Sequence, residues 1–133
     1  MANDMWLQLN GAKLGMYTWD LSRNSLVGDE YYSYLYGFDP DKLAAGIDIE
    51  TLLSKILQED REIVAERTHA SILDGLFGTI SFRVTRRSGL LRLGAFGRCI
   101  KDVDGTPNFF TGAVFELGSD NPSFSYRSPT SFQ

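Results

Sequence analysis

Apolar and polar residues change rhythm twice along this chain, and the changes divide it into three stretches. At the start, Asn3 or Asp4 can cap a short helix in which Met5, Leu9 and Ala12 recur at helical spacing, with Trp6 beside them and Gly15 as a stop. From Gly15 the period becomes two. Tyr17, Trp19 and Leu21 alternate with Thr18 and Asp20, the polar run Ser22 to Ser25 interrupts, and Leu26 and Val27 follow, which predicts a hairpin. The middle stretch is helical. Asp29 can cap a short helix through Tyr32 and Leu35 that ends at Gly37, and Asp39-Pro40 opens another. After the apolar cluster Ile49 to Leu57, Glu59-Asp60 begins a longer helix, with Ile63, Ala70, Leu73 and Phe77 expected on its buried stripe.

The last stretch alternates again. Ile80, Phe82 and Val84 should face one way and Ser81, Arg83 and Thr85 the other, with a turn from Arg86 to Gly89. Leu91, Leu93, Ala95 and Cys99 mark a second strand running to Ile100. After a turn at Asp102 to Gly105, a strand from Phe109 to Leu117 shows Phe109, Ala113, Phe115 and Leu117 on one face. Helix, two strands, several short helices and three strands predict an α+β fold: a mainly antiparallel sheet with helices on one face.

Composition narrows the function classes. The chain has 133 residues, enough for one domain with a sizeable core, and 43% of them are hydrophobic. Seventeen acidic against 13 basic side chains leave a net charge of −4, which disfavours nucleic acid or an anionic membrane as partner. A single cysteine, Cys99, excludes an intrachain disulfide and a thiolate metal cage. With no apolar run of signal-peptide or membrane-span length, the expectation is a soluble, cytoplasmic domain. Beyond Leu117 the composition shifts to Gly, Ser, Asn and Pro, so residues 118–133 read as a linker or loose tail.

The punctuating residues carry a resemblance. Gly15-x-Tyr17-x-Trp19-Asp20-Leu21, Leu35-Tyr36-Gly37 with Asp39-Pro40, Glu59-Asp60-Arg61, Phe82-Arg83-Val84, Ser88-Gly89, and Asp102-x-x-Gly105-x-Pro107 with Gly112 stand in one order. That order resembles the PAS domain of bacterial sensor kinases and cyclic-dinucleotide enzymes, from Gly15 to about Leu117. Two positions depart from the family pattern: Leu57-Gln58 stands where members usually carry His-Pro, and Glu116-Leu117-Gly118 replaces the closing Asp-Ile-Thr. The resemblance implies a five-stranded antiparallel sheet with short helices on one face and an N-terminal flanking helix over residues 1–14. It also implies a non-enzymatic sensory domain at 15–117, coupled to a signalling effector domain or partner protein and often dimeric. Such domains bind ligands between sheet and helices, where Tyr17, Trp19, Tyr32, Phe82, Phe96 and Phe115 are the candidate lining; a filled core is the alternative use of the same aromatics. Met5, Trp6 and Leu9 are the candidate homodimer contacts.

Catalytic and cofactor signals are sparse. The chain has no Gly-x-Ser-x-Gly elbow, no phosphate-cradling glycine loop and no histidine-rich metal spacing. A small cone-shaped isomerase or dehydratase would need a buried carboxylate or a His–Asp pair, whereas the acids here stand at turns and helix starts. The haem-binding subgroup of the family holds its ligand about one turn before His69, near Ala65, so haem is disfavoured. Flavin photochemistry needs a cysteine in an Asn-Cys-Arg-Phe run at the long helix, and Cys99 belongs to a strand; flavin is disfavoured as well. No cofactor and no metal are expected. Arg83, Arg86, Arg87, Arg92 and Arg98 form a basic stripe best explained as a solvated or partner-contacting face rather than a nucleic-acid site.

Overall fold

The computed structural model describes residues 13–76 and 78–119. The hairpin strands are β1 (Gly15–Asp20) and β2 (Ser25–Gly28). Four helices follow: α1 (Glu30–Tyr36), α2 (Pro40–Ala45), α3 (Ile49–Leu53) and α4 (Gln58–Asp74). Three longer strands, β3 (Gly78–Arg86), β4 (Gly89–Lys101) and β5 (Pro107–Ser119), complete the order. All neighbouring strands are antiparallel, in the spatial order β2-β1-β5-β4-β3. The expected N-terminal helix, with Met5, Trp6 and Leu9, lies outside the described residues, as do Phe77 and most of the C-terminal segment.

Local chemistry explains the short helices. The Asp29 carboxylate accepts the Tyr32 N–H at 2.9 Å and the Met16 N–H at 3.1 Å, so one side chain caps α1 and ties it to β1. Gly37 closes α1 in the left-handed conformation at φ 80°, where other residues are strained. Asp39 caps α2 with Pro40 in its first turn, as the sequence predicts. Asn24, at φ 50°, accepts the Trp19 Nε1–H at 3.0 Å and the Ile49 N–H at 3.1 Å and donates to Glu50 at 3.0 Å. The hairpin turn therefore fixes both Trp19 and the start of α3.

The sheet edge at β3 is covered. The Leu57 N–H donates to the Arg83 carbonyl and the Thr85 N–H to the Lys55 carbonyl, both at 2.8 Å, so the segment entering α4 occupies the edge. Asp60 in the first turn of α4 accepts Arg83 Nε–H at 2.9 Å, Arg83 Nη2–H at 2.6 Å and the Arg83 backbone N–H at 2.8 Å. Helix and strand are thereby pinned at one end. The Arg83 hydrogen bonds hold the Asp60 carboxyl below the usual carboxylate range, against an opposing effect of burial.

Leu35, Leu43, Val84 and Leu93 are fully buried between sheet and helices. The stripe expected on α4 needs correction, and the shared face expected on β5 takes a direction. On α4, Ile63 and Leu73 are exposed, Ala70 is exposed too, and the buried positions are Val64 and Ser71. The apolar spacing at 63, 70 and 73 is real, but it marks the solvent side, because the inward face is a mixed stripe that includes Thr68 and Ser71. On β5, Phe109, Ala113 and Phe115 share a face as the spacing predicts; Val114 pairs with Ala95 and belongs to the core against the helices, so that shared face is the opposite one.

Candidate functional site

Between α3, α4 and the sheet the core opens into a cavity of about 310 Å³. That volume is at the low end of small-molecule sites. An apolar cavity of about 150 Å³ accommodates one benzene, so the space suits a bicyclic molecule. Leu26, Ile49, Leu52, Ile56 and Val64 form much of the apolar wall.

Five of the six aromatic residues expected to line a pocket do so: Tyr17, Trp19, Tyr32, Phe82 and Phe96. The sixth, Phe115, does not. It sits on the other face of β5, where its ring pairs with that of Phe96 at 6.2 Å. Phe96 thus reaches the cavity wall between the inward-facing Ala95 and Gly97 while its ring meets Phe115. The cause is the strict alternation of β4 and β5, which a one-residue offset in register inverts.

Tyr17, Tyr32 and Tyr36 form a chain of rings, with centroids 5.2 Å apart for the first pair and 4.8 Å for the second. Burial pushes the Tyr17 phenol well above its ordinary value. Burial does the same to Tyr32 and Tyr36, with the hydrogen bond between their side chains raising Tyr32 and lowering Tyr36. Tyr17 nevertheless keeps accessible surface. It belongs to the lining of the cavity. All three phenols stay protonated at neutral pH, so each can donate a hydrogen bond.

The mouth lies along α4, where the exposed residues Ala65, Arg67 and His69 belong to the lining. Arg67 is a functional candidate that the sequence did not single out. Among the described residues, no Asp or Glu lines the cavity. The inward carboxylate that the isomerase or dehydratase alternative requires is therefore missing from this wall. The basic stripe is dispersed: Arg83 engages Asp60, Arg86 lies over the Tyr34 ring at 4.9 Å, and Arg87 and Arg98 are exposed. No helix among the described residues is long and apolar enough to cross a membrane.

No family model matches the chain, and no curated protein matches it in sequence. Solved structures do match. The N-terminal domain of a diguanylate cyclase with PAS/PAC sensor from Marinobacter aquaeolei is 15% identical, over 80% of this chain and 96% of that one, with a TM-score of 0.70. A sensory box histidine kinase/response regulator from Burkholderia thailandensis E264 is 19% identical, over 86% and 84%, with a TM-score of 0.69. A light-oxygen-voltage domain studied with a flavin analogue is 16% identical, over 86% and 89%, with a TM-score of 0.60.

The last likeness makes flavin a group to test against these residues, and the fit is poor. Cys99, on β4, is buried outside the cavity lining, with its Sγ 3.8 Å from the Ile100 carbonyl oxygen. A flavin's polar ring edge needs several matched donors and acceptors, yet among the described residues no Asn or Gln lines the cavity, and about 310 Å³ is small for three fused rings and a side chain. Haem is larger still, and His69 stands at the exposed mouth. With its sheet order, its short helices and long α4 on one face, and these structural likenesses, the chain has the PAS fold.

Proposed function

We propose that this chain is a non-enzymatic sensory domain that detects a small, largely apolar molecule and reports it to a signalling effector domain or partner protein. The observation that carries this reading is the aromatic-walled cavity of about 310 Å³ between the sheet and α4. The absence of a carboxylate from its described lining supports binding without catalysis. The helix that forms one wall is pinned to β3 at its start but lightly packed beyond it: of the 17 residues of α4, Val64 and Ser71 are the buried ones. Few buried contacts make an element responsive, and a coupling free energy of about 1–3 kcal/mol suffices for a useful switch.

Thermal unfolding and native mass spectrometry of the purified chain against a library of small aromatic compounds test the proposal. A ligand at about 100 times its Kd adds about 2.7 kcal/mol of stability, a rise on the order of 10 °C for a domain of this size. Ala95→Phe, which fills the cavity from the sheet side, is expected to abolish the rise. A library that produces no shift, together with a native mass equal to that of the bare chain, would overturn the reading.

Homodimerisation through Met5, Trp6 and Leu9 and a cytoplasmic location belong to the same proposal, the first supported by the amphipathic spacing of residues 1–14 and the second by the lone cysteine. Light scattering is expected to give twice the chain mass for the full chain and a lower mass once residues 1–14 are removed. A monomer in both samples rejects the dimer.

A further inference from the structure

One row of residues crosses all five strands, and three of its members, Tyr17, Gly97 and Gly78, line the cavity. Gly28 pairs with Tyr17, Tyr17 with Gly112, Gly112 with Gly97, and Gly97 with Gly78. Tyr17 is thus the one side chain in a row otherwise made of glycine, and its ring has room to lie across the sheet. A Cβ built on Gly97 would stand 2.7 Å from the Tyr17 Oη, and one built on Gly78 would collide with Ser71 Oγ. The two hydroxyls therefore rest over paired glycines. Directly opposite residues have Cβ positions about 5 Å apart, so a group placed above Gly78 and Gly97 faces both.

Neither hydroxyl has a hydrogen-bond partner among the described residues. Ser71 is only 9% exposed, and Tyr17 is half-buried in the cavity lining. A buried hydroxyl left unpaired costs about 1–3 kcal/mol, so two of them at the end of an open cavity point to a ligand acceptor. Among the described lining residues, Arg67 is the one with a fixed charge. Arg67 makes a single long hydrogen bond, to the Thr79 carbonyl at 3.4 Å, and enters no ion pair among the described residues. No described carboxylate lines the cavity, although the whole chain carries −4.

Building on the sensory reading above, we infer that the ligand is a small aromatic carboxylic acid. Its carboxylate accepts from Tyr17 Oη and Ser71 Oγ and faces Arg67, and its ring system fills the apolar part walled by Trp19, Leu26, Ile49, Leu52 and Ile56. Charge-assisted hydrogen bonds to an Arg at a partly open rim offset the desolvation of the anion better than a neutral pocket can. The cavity volume limits the ring system to about two fused rings.

Isothermal titration of the full chain with 2-naphthoate and with its neutral isostere 2-naphthamide tests the assignment. The acid is expected to bind about tenfold tighter than the amide. Arg67→Gln, at an exposed position, should remove that preference by weakening the acid more than the amide; Tyr17→Phe should weaken both probes several-fold. Equal affinity for the two probes, or an equal loss of both in Arg67→Gln, overturns the carboxylate assignment while bound naphthamide still upholds the sensory cavity. Binding of neither probe to the wild-type chain also overturns it, and the library screen then decides the sensory reading on its own.

Discussion

Replacing Asp60 by alanine is expected to destabilise the domain by about 3 kcal/mol, because removing one partner of a mostly buried pair strands the other. Asp60 accepts three hydrogen bonds from Arg83, one of them from its backbone N–H. The side chains are 15% and 28% exposed, so solvent replaces little of what is lost. Chemical denaturation of wild type and variant measures the difference. A cost below about 0.5 kcal/mol would show that the pair behaves as an ordinary surface ion pair. The pH dependence has a fixed sign. The folded-state pKa of Asp60 is lowered, so its contribution is fully present above the unfolded value of about 3.9 and is lost as pH falls through the folded value. The stability gap between wild type and Asp60→Asn should accordingly stay flat near neutrality and close below about pH 4.

This pair illustrates what a linear reading can and cannot reach. Glu59-Asp60-Arg61 was legible as an acidic helix start, since carboxylates favour the first turn of a helix. Its tie to Arg83 was not, because the two are 23 residues apart and meet only when the segment before α4 covers the β3 edge. Caps behave in the opposite way. The capping bonds of Asp29, Gly37 and Asp39-Pro40 reach only a few residues along the chain, and each holds the role that its local chemistry predicts.

The same distinction governs the cavity. Tyr17, Trp19, Tyr32 and Phe82 were legible as lining because aromatics on alternating strands and a short helix converge on one core face. Phe115 was misplaced because period two leaves the choice of face open until register is known. The more regular apolar spacing of α4 lies on its solvent side for a physical reason: a helix that walls a cavity need not present its most apolar side inward. A signal was available in Val64, Thr68, Ser71 and Ile72, which share one helical face and mix methyls with hydroxyls. The glycine row is beyond any linear pattern, since Gly28, Gly78, Gly97 and Gly112 come from four strands and align only through pairing.

A core divided between a filled part and an open part should respond unequally to truncation, and this contrast tests the cavity without any ligand. Leu93 is fully buried on β4 among Phe82, Val84 and Leu91, and it is not part of the cavity wall. Leu93→Ala creates a new void in close-packed surroundings, so its expected cost is about 3 kcal/mol, within the range of lost transfer energy plus cavity formation. Leu53, half-buried on α3, already faces open space. Leu53→Ala enlarges an existing cavity instead of opening one, and less of its surface leaves water on folding, so about 1 kcal/mol is expected. Equilibrium denaturation of the two variants supplies the comparison. Equal losses would mean that the space beside Leu53 is packed in solution, and the sensory proposal would then lose its cavity.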